Sequence, residues 1–295
     1  MQPITHVVVG TDFSAEADMA VQRAALISKQ LGAELHLIHV VYPLDLYVGS
    51  ELSFDFQMHY QRAQQESVKT QIETLACKLQ EQFNIPIHST TRIGRAHSEI
   101  SSYASSVMAG LIVAGAQGEH SLLEKLLGST SSRLLSTAKC PVLIVKNKDA
   151  KVRSYQQVIA AVNFSSGAAD VPILARTIAP EAHIEALLIF DTNQEVHMYK
   201  AGMNEILLEQ YRTKALIEAD KKLDVLLTGR ALGERVSRKI LTGYPPESIC
   251  QHAIAQHADL IVIGKREKNS MEDWLLGSVS KGVAYAAKCD VLVIT

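Results

Sequence analysis

Apolar and polar positions along this chain follow two rhythms. Short apolar runs rich in valine, isoleucine and leucine recur at residues 6–10, 34–40, 111–114 and 142–145. Runs of that length and composition read as strands buried on both faces. Between them lie longer stretches with helical spacing. Residues 15–31 are alanine-rich, and Val68, Ile72, Leu75, Leu79 and Phe83 recur at intervals of three and four, one face of an amphipathic helix. A third strand is expected near 85–90, followed by Gly94, a helix over about 98–108, and a further helical stretch at 133–138. Residues 42–54, with Pro43 and Gly49, have no period and read as a loop.

The second half repeats the first. Gly94 and Gly243, Gly115 and Gly264, Gly128 and Gly277, Ser129 and Ser278, and Cys140 and Cys289 all stand 149 residues apart. Asp12-Phe13-Ser14 matches Asn163-Phe164-Ser165 at an offset of 151. Self-similarity over half a chain means two copies of one domain, since solenoid periods are far shorter. Strands of the second copy are expected at 157–162, 183–189, 236–241, 260–263 and 291–294. Its long helix carries Leu208, Tyr211, Ala215, Ala219, Leu223 and Leu226, with Gly229 suited to the position after the helix end. Residues 146–153 are charged and apolar-poor and read as a linker. The expected domains are therefore 1–147 and 154–295. Strands alternating with helices specify an α/β fold, here two tandem, doubly wound, five-stranded parallel sheets of Rossmann-like type.

Composition narrows the function classes. A formal net charge of −2 gives no global case for nucleic acid or a membrane surface. No apolar run approaches the length that spans a bilayer. The start of the chain reads as a first strand and not as a signal peptide, so a cytoplasmic location is expected. Cys77, Cys140, Cys250 and Cys289 are dispersed without a C-x-x-C pair, which argues against a zinc ribbon or redox motif. His36 and His39 are three apart on a strand and His252 and His257 five apart on a helix, spacings that converge on no metal. The histidines are read as structural or surface groups.

The stretch 111–131 carries the candidate chemistry. A buried strand leads into Gly115 and Gly118; nine residues separate Gly118 from Gly128, and Ser129, Thr130 and Ser131 follow. Glycines admit close approach of an anion to the backbone, and the first N–H groups of a helix lack internal partners and sit at the positive end of its dipole. No Walker A loop and no G-x-G-x-x-G occurs. The spacing G-x2-G-x9-G-S resembles the ATP-binding signature of the universal stress protein family. That resemblance spans both copies and implies an adenine nucleotide alpha hydrolase-like fold with strand order 3-2-1-4-5. It also implies an internal pseudo-dimer through the last strands, residues 141–145 and 291–294, with a homo-oligomer open.

On this reading Thr11 and Asp12, after the first strand, face the glycine loop where strand order reverses. The resemblance assigns Asp12 to the adenosine part of ATP and Val40 to the neighbourhood of the adenine. Ala114 and Gly115 line the same place, and Gly118, Gly128, Ser129, Thr130 and Ser131 carry the phosphates, with Mg2+ held mostly by phosphates and water. The alternative for Asp12 is a role at the entrance of the next helix, with Ser14 as the cap. In the second copy Asn163 replaces Asp12 and Glu267 replaces Gly118. A carboxylate about 5 Å from a phosphate opposes binding by roughly 3 kcal/mol at an effective dielectric near 20, so the second site is expected to be degenerate. No P-loop lysine, G-x-S-x-G elbow or assembled triad is present to drive hydrolysis. The expected function is an ATP-binding regulator in the stress response, a weak ATPase at most. A nucleotide-hydrolysing enzyme and a ligand-free interaction protein stand as alternatives. The hydroxyl run also raises phosphorylation of Ser129–Ser132, against the simpler reading of those residues as ligands or caps.

Overall fold

Three consecutive valines, Val7, Val8 and Val9, lie at the centre of the first half and are wholly buried. β-Branched residues suit a pleated strand covered on both sides, which is the position of a central strand in a parallel sheet. The computed structural model describes residues 3–42, 54–117, 127–146, 152–165, 167–191, 198–228, 232, 235–265 and 277–294. Two units result, Met1–Arg153 and Ser154–Ile294.

The first unit runs β1 (His6–Gly10), α1 (Ala15–Leu31), β2 (Glu34–Val41), α2 (Phe54–Phe83), β3 (Ile87–Ile93), α3 (Ala96–Ser106), β4 (Leu111–Gly115), α4 (Ser129–Thr137) and β5 (Val142–Val145). Its strands are all parallel in the order β3-β2-β1-β4-β5. α1 packs on β1, β2, β4 and β5, and α3 on β1 and β2. Leu35, Leu37, Ile38, Leu111, Ile112, Leu143 and Ile144 fill the space between sheet and helices, each contributing about 1.5–3 kcal/mol by burial. α1 starts at Ser14, whose Oγ accepts the Ala17 N–H at 3.2 Å, and stops at Gly32, which adopts φ 64°. α1 therefore has an N-cap hydroxyl at one end and a left-handed glycine at the other.

The second unit repeats this plan: β6 (Gln157–Val162), α5 (Asp170–Ile178), β7 (His183–Asp191), α6 (Glu205–Leu227), β8 (Val236–Gly243), α7 (Pro245–Ala255), β9 (Leu260–Gly264), α8 (Ser278–Ala286) and β10 (Asp290–Ile294). Its parallel order is β8-β7-β6-β9-β10. The repeat extends to backbone detail. Gly94 and Gly243, at equivalent turns into α3 and α7, have φ of 148° and 153°, a region closed to residues with a side chain.

Three elements start two or more residues away from the pattern-based expectation. β3 starts at Ile87, two residues late, because Pro86 has no N–H to donate to a ladder. α3 starts at Ala96, earlier than the expected 98. α4 starts at Ser129 rather than 133, since hydroxyl residues are tolerated in a first turn whose N–H groups need no internal acceptor. The loop expected at 42–54 lies mostly outside the described residues, as does Gly229; Phe54 opens α2.

Candidate functional site

Strand order reverses between β1 and β4, the place where open parallel sheets take ligands beyond the carboxyl ends of their strands. Thr11, just after β1, is buried; its N–H donates to the Ile38 carbonyl at 3.0 Å and its Oγ1 accepts the Phe13 N–H at 3.1 Å. Asp12 follows, with Oδ1 accepting both the Ser14 N–H at 3.1 Å and the Ser14 hydroxyl at 2.6 Å. The carboxylate thus builds the turn that presents Ser14 as the cap of α1.

Two neighbours of this turn gave no signal in sequence. Phe13 adopts φ 64° and stacks on His39, ring centroids 4.9 Å apart and planes 17° from parallel. Burial lowers the His39 pKa, opposed by a hydrogen bond with the Thr11 backbone and by the Asp12 charge. His39 Nδ1 is buried without a hydrogen-bond partner among the described residues. Val40, next on β2, is half-buried. The stack joins a left-handed turn residue beyond β1 to a residue of β2, so neither stands out in a linear reading.

From the β4 side, Ala114 is buried and Gly115 ends the strand. A Cβ at Gly115 would stand 3.1 Å from the Glu16 carbonyl oxygen of α1 and 3.2 Å from that of Gln117. Only glycine lets strand end and helix start come this close. The start of α4 is tied to the same spot. Ser131 Oγ donates to the Gly115 carbonyl at 2.5 Å, and the Gly128 N–H donates to the Ala116 carbonyl at 2.7 Å. Gly128 caps α4 without a side chain, at φ −60° and ψ 156°. Ser129 is exposed and Thr130 half-buried at its first turn, where N–H groups and helix dipole favour an anion. Gly118 lies outside the described residues. His97, at the start of α3, has its pKa lowered by burial and then by the charges of Arg133 and Arg95. Burial pushes the Cys140 thiol up to about 11, which rules it out as a thiolate nucleophile at neutral pH.

The second copy builds the same frame with other chemistry. Asn163 Oδ1 accepts the Ser165 N–H at 3.0 Å and hydroxyl at 2.6 Å, repeating the Asp12 turn without a charge. Gly277 caps α8 at φ −59° and ψ 149°. Ser280 Oγ donates locally to the Gly277 carbonyl at 3.1 Å, whereas Ser131 reaches across to the strand. A Cβ at Gly264 would meet only Val171 Cγ2, at 3.7 Å. Glu267 lies outside the described residues.

Comparison with known proteins agrees with this duplication. The model of the universal stress protein family matches residues 3–146 and again 154–295. Universal stress protein Rv2623 of Mycobacterium tuberculosis is 27% identical, over 97% of this chain and 95% of its own. Universal stress protein MJ0531 of Methanocaldococcus jannaschii is 31% identical over 48% of this chain and 81% of its own. Among solved structures, a universal stress protein from Archaeoglobus fulgidus is similar in fold with a TM-score of 0.67 and 21% identity, covering 98% of this chain and 96% of that one.

Proposed function

The chain belongs to the universal stress protein family through both of its halves, and from that premise we propose that it binds ATP in its N-terminal copy as a regulator of stress adaptation with little or no hydrolysis. The observation that carries this reading is the join between β4 and α4. Gly115 permits the close approach, Ser131 and Gly128 hold the two elements together, and the first N–H groups of α4 lie beside it. Support for an adenosine role of Asp12 comes from the contrast with Asn163. The turn forms equally well with either residue, so the turn alone does not require a charge at Asp12.

In this reading Thr11, Val40 and Ala114 surround the base and sugar, and Gly115, Gly118, Gly128, Ser129, Thr130 and Ser131 take the phosphates. The Ser131 hydroxyl is committed to Gly115, so Ser131 contributes its backbone N–H. A magnesium ion accompanies the triphosphate, held by phosphate oxygens and water. The second copy is silent toward nucleotide, and the copies, 1–147 and 154–295, pack as an internal pseudo-dimer through 141–145 and 291–294. Mass spectrometry of small molecules released from the purified chain, followed by calorimetric titration, tests the reading. One equivalent of ATP is expected, lost in Gly118→Glu with the ligand-free thermal midpoint little changed. Multiple turnover above buffer background would make the protein a hydrolase instead, and binding of no nucleotide would make it an interaction protein.

A further inference from the structure

At the opposite, amino end of the first sheet, three strands bring together a set of side chains that no stretch of sequence contains. The parallel register pairs His6 of β1 with Glu34 of β2, and His36 of β2 with His88 of β3. Side chains alternate along a strand, so Glu34 and His36, two apart, share a face. That face is the one covered by α3. Gly10, four residues beyond His6 on β1, would place a Cβ 2.7 Å from Ile100 of α3, and His36 itself touches Tyr103 of the same helix.

We propose that His6, Glu34 and His36, with His88 beside them, form a binding site for a divalent transition metal, zinc being the best fit. His6 Nδ1 lies 3.1 Å from His36 Nε2 and 3.8 Å from Glu34 Oε2, and the three ligand atoms all fall within 4.8 Å of one another. Ligands about 2 Å from a tetrahedral ion stand about 3.3 Å apart, so these atoms need little movement to close on one. Two imidazoles and a carboxylate suit zinc, whereas magnesium and calcium prefer all-oxygen sets. His88 Nε2, 2.8 Å from Glu34 Oε2, or a water completes four ligands.

The surroundings of His36 favour the metal-binding tautomer. Its Nδ1 lies 3.1 Å from the Tyr103 hydroxyl. With Nδ1–H donated there, the Nε2 lone pair is left toward His6, the usual way an outer oxygen orients a metal-bound histidine. Arg92 lies over the face of the Tyr103 ring, 5.8 Å from its centre. His6, Glu34 and His88 side chains are 28%, 43% and 53% exposed, so an ion reaches them without opening the fold.

The second copy serves as an internal contrast. Its register puts Gln157, His183, Glu185 and Ser237 where His6, Glu34, His36 and His88 stand, and Glu185 pairs with His252 of α7. Among the described residues the site is therefore confined to the first copy, and it does not depend on the nucleotide reading. β1 is five residues long, which sets the site about 13 Å from the Asp12 end.

The test uses the full chain, stripped of metal, titrated with zinc in competition with a chromophoric chelator. One equivalent should bind, and cobalt in its place should give the intense visible bands of a tetrahedral ion. His6→Ala and Glu34→Gln, chosen because both residues are partly exposed, should each weaken that equivalent about 10–100-fold. Both should leave the metal-free thermal midpoint near that of the unaltered chain. Zinc bound elsewhere, at exposed Cys77 or other histidines, would survive both substitutions. An unchanged titration and cobalt spectrum in the two variants, or no uptake by the unaltered chain at micromolar free zinc, overturns the proposal.

Discussion

Asp12 and Asn163 occupy equivalent turns and accept the same two hydrogen bonds, one from a backbone N–H and one from a serine hydroxyl. The difference between them is one negative charge. Asp12→Asn should therefore leave the ligand-free thermal midpoint within a degree or two while lowering ATP affinity about tenfold or more, as expected when a charged acceptor is replaced by a neutral one. Asp12→Ala should in addition destabilise the first copy by about 1 kcal/mol, because Ser14 loses its partner. Calorimetric titration beside urea unfolding separates the two effects. Equal ATP affinity in Asp12→Asn and the unaltered chain would confine Asp12 to the turn.

At the level of elements, the two copies differ where a strand end meets the first turn of a helix. Gly115→Ala drives a methyl against two carbonyl oxygens that cannot rotate away, and should cost about 1–3 kcal/mol. Gly264→Ala meets only a methyl of Val171 at contact distance and should cost under about 1 kcal/mol. Chemical unfolding of the two variants side by side checks this, and equal losses would refute it. The strands at 142–145 and 157–162 were legible to the residue, because apolar runs of that kind have few other uses in a soluble core. Helix starts were less legible. α4 begins inside a hydroxyl run that propensity alone assigns to a loop. For the candidate nucleotide site, Thr11, Asp12, Ala114, Gly115 and Gly128 were named from the glycine spacing and from the strand order that the family resemblance implies, and that strand order is the one described. The histidine cluster could not be named this way, since it depends on which residues of neighbouring strands stand opposite, nor could the Phe13–His39 stack, which depends on the left-handed turn at Phe13 beyond β1.

At the scale of the whole molecule, the pseudo-dimer reading has a direct test. Residues 1–153 and 154–295, expressed separately, should associate when mixed, measured by sedimentation; two halves that ignore both themselves and each other would remove that part of the reading. The parallel order of each sheet has a further consequence, in time rather than space. β1 leaves the ribosome first, yet its ladder with β4 joins Val7 to Leu111, so the central strand waits roughly a hundred residues for one of its two neighbours. Such long-range closure slows folding and leaves strand edges open meanwhile. β5 is the last strand of the first sheet and precedes every strand of the second. The first copy can thus complete its sheet while most of the second is still being made, and any ligand it holds would steady a half-finished chain during synthesis.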